Sequence, residues 1–144
     1  MSSHPSQAEQ SLRDARVLVV DDEASARELN AFVLEQSGAY VRTAMSTAEA
    51  LHWLEHESFD VLVADLAMPV EDGFALIEAV RSNPNSPHHK IAAVAVSGLT
   101  ARADRDRAIK SGFNWYLGKP IEPHRLVALV ATAFQSAKGR DEDP

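Results

Sequence analysis

Residues 61–73 read VLVADLAMPVEDG: four apolar residues in succession, then Asp65, then a short loop that ends at Gly73. A run that is apolar on both faces, and too short for a helix, suits a strand of a parallel sheet covered on both sides. A carboxylate directly after it then stands at the strand's carboxyl end, where open α/β sheets bind their ligands. The same form recurs along the chain. Val17-Leu18-Val19-Val20 is followed by Asp21, Asp22 and Glu23; Ile91 to Val96 is followed by Ser97; Trp115-Tyr116-Leu117 is followed, after Gly118, by Lys119-Pro120. Tyr40 to Ala44 is a weaker fifth run.

Stretches of helical length separate these runs. Leu29, Phe32 and Val33 mark a helix that ends near Ser37-Gly38, where glycine supplies a left-handed cap. Ser46-Thr47-Ala48-Glu49 is a capping-box pattern that starts a helix through about Glu57, the Ser hydroxyl and Glu carboxylate each satisfying the other's backbone donor. Phe74, Ile77 and Val80 mark a third helix. Ala101 to Ser111 is mostly charged, with Ala108 and Ile109 as its apolar anchors, so this helix is predicted to be the least firmly docked and the most mobile. In Glu122 to Phe134, Leu126, Leu129, Val130, Ala133 and Phe134 share one face, with Pro123 in the first turn. Strand and helix thus alternate five times, and right-handed crossovers make the predicted fold a doubly wound α/β domain with a five-stranded parallel sheet. The loop Ser82 to Lys90 is rich in Pro, Asn and His, and His88-His89 reads as polar filler within it. The domain is expected over residues 14–137, with a flexible extension over 1–13 and a flexible tail over 138–144.

The chain has 144 residues, enough for one domain, and 45% apolar with 24% charged residues supports a core without covalent staples. A net charge of -7 argues against sequence-independent nucleic-acid binding. With no cysteine, thiol catalysis, thiolate metal sites and disulfides are excluded. Met1 to Gln10 has no apolar signal-peptide core, and no stretch approaches the roughly 20 apolar residues of a membrane span, so a soluble, cytoplasmic protein without a membrane partner is expected.

The strand ends carry the chemistry. Asp21, Asp22 and Asp65 meet in one crevice with Ser97 and Lys119, although nearly a hundred positions separate the first from the last. Carboxylates brought together repel, and stay ionised beside a compensating cation. Magnesium suits them, because it takes oxygen ligands, keeps several waters and commonly uses one or two carboxylates plus phosphate oxygens. A lysine and a hydroxyl in the same crevice can balance phosphoryl charge, and a carboxylate can serve as nucleophile to give an aspartyl phosphate. Taken singly, Asp-Asp after a strand reads as a helix cap, and Lys-Pro or Ser-Gly as a turn. Capping does not explain all of them standing at the ends of the correct strands.

The segments VLVVDD (17–22), VLVADLAMPVEDG (61–73), VSGLTA (96–101) and YLGKP (116–120) resemble the receiver domain of two-component response regulators, and the resemblance covers Ala15 to Ala137. It implies a flavodoxin-like sheet of strand order 2-1-3-4-5, the order known for a chemotaxis member of this family. It further implies that Asp65 is the phosphoacceptor, taking its phosphoryl group from a histidine kinase or a histidine phosphotransfer protein. Asp22 would ligate Mg2+ directly and Asp21 mainly through water, with Asp65 and the backbone carbonyl of Ala67 completing the protein's ligands. Lys119 and Ser97 would hold phosphoryl oxygens, and Ser97 and Tyr116 would form the switch pair. Met68-Pro69 and Gly73 would shape the loop after Asp65, and the Lys119–Pro120 bond would be cis. The output would be a changed surface on helix 101–111, the fifth strand and the last helix, sensed by a downstream effector or a second copy in a phosphorylation-dependent homodimer.

Other features lie outside this pattern. Trp115, beside Tyr116, is a candidate interface residue. Ala67 and Leu99 put apolar side chains where many relatives carry groups that influence the attacking water, which predicts slow self-dephosphorylation. His52 and His56 are four apart, a spacing that can bind metal, but without a third ligand nearby they read as a solvated helix face. A haloacid-dehalogenase-like phosphatase is disfavoured, since Asp21-Asp22-Glu23 has Glu where a second Asp is wanted and no cap domain fits; a flavin-binding domain lacks its phosphate loop. With no output domain after Phe134, the expectation is a stand-alone regulator, a phosphorelay shuttle or the receiver piece of a hybrid kinase.

Overall fold

The structure is a computed structural model that describes residues 11–68, 70–98 and 101–142, with side chains described as far as residue 138; Pro69 and Leu99 lie outside the described residues. The elements alternate as expected. They are β1 (Arg16–Val20), α1 (Ala24–Gln36), β2 (Tyr40–Ala44), α2 (Thr47–His56), β3 (Val61–Asp65), α3 (Gly73–Arg81), β4 (Ala92–Ser97), α4 (Arg102–Ser111), β5 (Trp115–Gly118) and α5 (Pro123–Glu142). All paired strands are parallel, and the sheet order is β2-β1-β3-β4-β5.

Successive strand residues point to opposite faces, and here both faces are covered. Leu18, Val20, Leu62 and Ala64 face α2, α3 and α4 through Ala50, Leu54, Phe74, Leu76, Ile77 and Ala108. Val17, Val19, Val61, Val63, Val94 and Val96 face α1 and α5 through Leu34, Leu126, Val130 and Phe134. That is why the runs are apolar without alternation. Each fully buried leucine contributes about 1.5–3 kcal/mol. Along the β2 edge, Glu57 accepts from Arg16, Arg42 and the Tyr40 hydroxyl, while both guanidinium groups lie over the Tyr40 ring. Exposed ion pairs of this kind are screened by solvent and contribute little, so burial against the sheet decides the fold.

Several local expectations are corrected. Leu29 and Phe32 are 58% and 59% exposed; α1 turns Asn30, Ala31 and Leu34 inward instead. Ile109 is also exposed, and α4 is fastened by buried Ala108, by Arg107 lying 3.8 Å over the Phe74 ring, and by Arg81, which donates to the carbonyl of Gly112. The strand at 91–96 is shifted by one residue, to Ala92–Ser97, so that Ser97 itself belongs to the ladder. Leu12 is fully buried, and its N–H donates to Ser37 at 2.9 Å, because α1, Ala15 and Ala39 leave an apolar hollow that it fills. The last helix runs to Glu142, where the lack of apolar periodicity suggested a tail; Lys138 one turn beyond Phe134 lies 5.1 Å from that ring. His88 is not filler: it is buried, and its Nε2 accepts from the Phe59 N–H at 3.0 Å. Ser46 caps α2 by accepting from Glu49 N–H, but the Glu49 carboxylate reaches the N–H of Met45 rather than that of Ser46.

Candidate functional site

Register brings the polar residues to one level. Asp65, the last residue of β3, pairs with Val96, and Ser97, the last of β4, pairs with Gly118, directly before Lys119. Carboxylate oxygens of Asp21, Asp22 and Asp65 lie within 4.8 Å of one another. Lys119 Nζ stands 3.5 Å from Asp65 Oδ2 and 3.9 Å from Asp21 Oδ2. Asp21 and Asp65 are buried and Asp22 is exposed, so the cluster opens to solvent on one side.

Backbone donors fix the two buried carboxylates: Asp21 Oδ1 accepts from Glu23 N–H at 2.9 Å and Asp65 Oδ1 from Ala67 N–H at 3.1 Å. The capping explanation for Asp21-Asp22 fails, because the N-cap of α1 is Glu23 and no side chain caps it. Burial pushes the Asp21 carboxyl above its usual range; the charges of Asp65 and Asp22 add to this, and the Glu23 N–H and Lys119 oppose it. Two carboxylates at this separation repel by on the order of 3 kcal/mol at an effective dielectric of 20, so one ammonium does not balance three of them. The oxygen-only donor set, partly buried and short of positive charge, fits a hard divalent cation such as Mg2+.

The surrounding residues set the geometry. The N–H of Lys119 donates to the carbonyl of Ser97 at 2.8 Å, and the Lys119–Pro120 bond is cis as expected. Ser97 is fully buried. Neighbours in β5, Tyr116 and Trp115 go to opposite sides: Tyr116 packs half-buried against the core beneath α2–α4, with Arg105 6.0 Å from its ring, and Trp115 packs half-buried against the core beneath α5. Ala67 is exposed beside Asp65. Gly73 lies so close to β3 that an added Cβ would stand 2.5 Å from the Asp65 carbonyl oxygen, and its own N–H donates to Leu66.

Two supporting residues escaped the sequence reading. Arg27 of α1 donates from Nη1 to the Asp21 carbonyl at 2.8 Å, and buried Thr47 donates from its hydroxyl to the carbonyl of Glu71 in the loop after Asp65. A basic residue one turn into the helix after an acidic pair is a usable signal for the first. The second joins residues 24 apart through a carbonyl, and no side-chain pattern announces it.

Doubly wound α/β domains of this strand order hold their ligands where these carboxylates stand. The family model of the response regulator receiver domain matches residues 17–131, and the chain belongs to that family. It is 44% identical over 121 residues to an "uncharacterized 14.6 kDa protein in sodA1 3'region" of Leptolyngbya boryana, covering 84% of this chain and 91% of that one. It is 37% identical to the response regulator PleD of Caulobacter vibrioides, covering 81% of this chain but 25% of PleD. Against the transcriptional regulatory protein GltR of Pseudomonas aeruginosa it spans 50% of the relative's length. Among solved structures, chemotaxis protein CheY4 of Vibrio cholerae superposes with a TM-score of 0.77 at 30% identity, over 83% of this chain and 98% of that one. A CheY-like receiver domain protein of Methanospirillum hungatei gives 0.79 at 22% identity, over 88% and 98%, and shares the fold. Among the described residues no helix is long and apolar enough to cross a membrane.

Proposed function

We propose that the chain is a phosphoacceptor switch of two-component signalling, with Asp65 as the residue that takes the phosphoryl group. The observation that carries this reading is the meeting of three carboxylates within 4.8 Å with Lys119 at 3.5 and 3.9 Å, at the carboxyl end of the sheet. A carboxylate oxygen of Asp65 attacks phosphorus in a phosphohistidine of a histidine kinase or phosphotransfer protein. The new O–P bond replaces the P–N bond, and the donor imidazole keeps the electron pair and takes up a proton. Asp21, Asp22 and Asp65, with the Ala67 carbonyl, would hold Mg2+, which supplies charge neutralisation for the transferring group. Asp21 is the more buried of the acidic pair, so Asp22, open to solvent, suits direct ligation and Asp21 an outer position.

Lys119 binds a phosphoryl oxygen from the position it already holds beside Asp65, and the Ser97 hydroxyl takes another. Phosphorylation adds about 1.5 to 2 negative charges where the balance is already negative, which biases Lys119 and Ser97 toward the new oxygens. Tyr116 then turns inward and α4, with only Ala108 buried, shifts with it. The altered α4–β5–α5 surface is what a downstream effector, or a second copy of the chain, binds in the cytoplasm. Trp115 flanks that surface. The domain's role is regulatory, with self-catalysed gain and loss of phosphate as its only chemistry.

The test is phosphorylation by acetyl phosphate read by intact mass, on wild type and Asp65→Asn. One added phosphoryl group is expected, lost in the variant and lost on chelation of Mg2+. A folded wild type that stays unmodified, and that also fails to bind beryllofluoride, would overturn the assignment.

A further inference from the structure

The exposed face of α2 carries a second cluster of ligating groups, unrelated to the acidic site. His52 and His56 are both exposed, one helical turn apart, with ring centroids 4.2 Å from each other and planes inclined by 32°. His56 Nδ1 lies 2.7 Å from the carbonyl oxygen of His52. A carbonyl oxygen only accepts, so Nδ1 carries the proton, and Nε2 of His56 presents its lone pair outward. That is the arrangement found in metal-bound histidines, whose other ring N–H is tied to a carbonyl or carboxylate that fixes tautomer and orientation. Spacing alone leaves the pair a solvated helix face; the bond from His56 Nδ1 to the His52 carbonyl and the closeness of the two tilted rings are what the structure adds.

We propose that His52 and His56 form a bidentate surface site for a borderline divalent ion of the Zn2+, Ni2+ or Cu2+ type, with solvent completing the coordination. Imidazole nitrogen suits these ions, whereas the oxygen-only cluster of Asp21, Asp22 and Asp65 suits Mg2+. The two sites therefore select by ligand chemistry. Two histidines at i and i+4 on one helix face are a known donor arrangement for zinc. The ring centroids are 4.2 Å apart, so a modest opening of the two side chains lets a ring nitrogen of each meet one ion.

The test uses the full chain with millimolar Mg2+ present, titrated with Zn2+ by calorimetry and by ring-nitrogen NMR. Wild type is compared with His52→Gln, His56→Gln and, as an exposed histidine outside the pair, His124→Gln. Glutamine is a good helix former, and circular dichroism checks that α2 persists in each variant. The expected result is one saturable site with the Nε2 signal of His56 shifted and its Nδ1 still protonated. Loss of either ring removes the chelate and weakens binding at least about tenfold, and His124→Gln binds as wild type. The proposal is overturned if His52→Gln or His56→Gln keeps wild-type affinity, if His124→Gln loses as much, or if millimolar Mg2+ abolishes Zn2+ binding.

Discussion

Replacing Gly73 by alanine puts a methyl group where the backbone of β3 already is. The added carbon would stand 2.5 Å from the Asp65 carbonyl oxygen, 3.0 Å from Leu66 Cα and 3.1 Å from the Asp65 carbonyl carbon, whereas ordinary contact begins near 3.4 Å. All three neighbours are main-chain atoms, so no side chain can swing aside, and the gap must open by about 0.9 Å, the difference between 3.4 and 2.5 Å. Overpacking of this kind costs about 1–3 kcal/mol, offset by up to about 1 kcal/mol from the better helix propensity of alanine. From a central cost of about 2 kcal/mol, a net loss of about 1–2 kcal/mol remains, which lowers Tm by roughly 2–8 °C in a domain of this size. The opening also falls on Asp65, the proposed phosphoacceptor, and a displacement near 1 Å slows a positioned reaction by up to roughly 100-fold. Thermal unfolding and the rate of phosphorylation by acetyl phosphate are the assays. Gly118→Ala, where an added Cβ meets nothing within 4 Å, is the control for stability. A Gly73→Ala protein with wild-type Tm and wild-type phosphorylation rate would show that α3 does not need this close approach, and the reasoning would be wrong.

Because the three carboxylates repel and Lys119 balances one, Mg2+ at 100 times its dissociation constant should stabilise by about 2.7 kcal/mol, raising Tm by roughly 5–10 °C; Asp22→Asn should shrink the shift, and no shift in wild type would count against a cation site. Burial pushes the His88 pKa below its usual 6.5, against the smaller opposing pull of the Leu54 carbonyl and Asp60, so the unfolded chain takes up the proton first. Its contribution is therefore complete above about pH 6.5 and is lost as the pH falls toward the folded value, with a slope of at most about 1.4 kcal/mol per pH unit; denaturant titrations between pH 7.5 and 5 check this, and an unchanged slope in His88→Gln would assign the loss elsewhere. With Ala67 exposed beside Asp65 and no polar group on its side chain, the phosphorylated form should persist for minutes or longer, and a half-life of seconds by intact mass would refute the expectation.

The sheet was legible because its signal is carried by runs such as Val61–Ala64, buried on both faces, for which no competing reading survives. The cluster of polar residues was legible for a related reason: Asp65 and Ser97 end β3 and β4, and Lys119 stands one residue beyond the apolar run of β5 and Gly118. Helix faces were harder to read. Phe32 and Ile109 look like core residues by type, but the interior beneath α1 is filled by Leu34 and by Leu12 from outside the expected domain, and beneath α4 by Ala108. Histidine was misread in the other direction. His88 is buried because its ring nitrogen satisfies a backbone donor on β3's approach, and composition alone cannot distinguish that from a solvated loop residue.

Tyr40 and Arg42 of the outer strand, tied through Glu57 to Arg16 of β1, cover the edge of the sheet, where an unpaired row of backbone groups would otherwise invite a strand from another copy. A stranger docking there would have to strip water from two guanidinium groups and displace them from the Tyr40 ring, with no carboxylate offered in return. At the opposite margin β5 is only four residues long and ends in Gly118, which gives an intruder little to pair with. Both open margins of the sheet are thus guarded against templated aggregation. Strand-to-strand pairing between copies is thereby disfavoured at both margins.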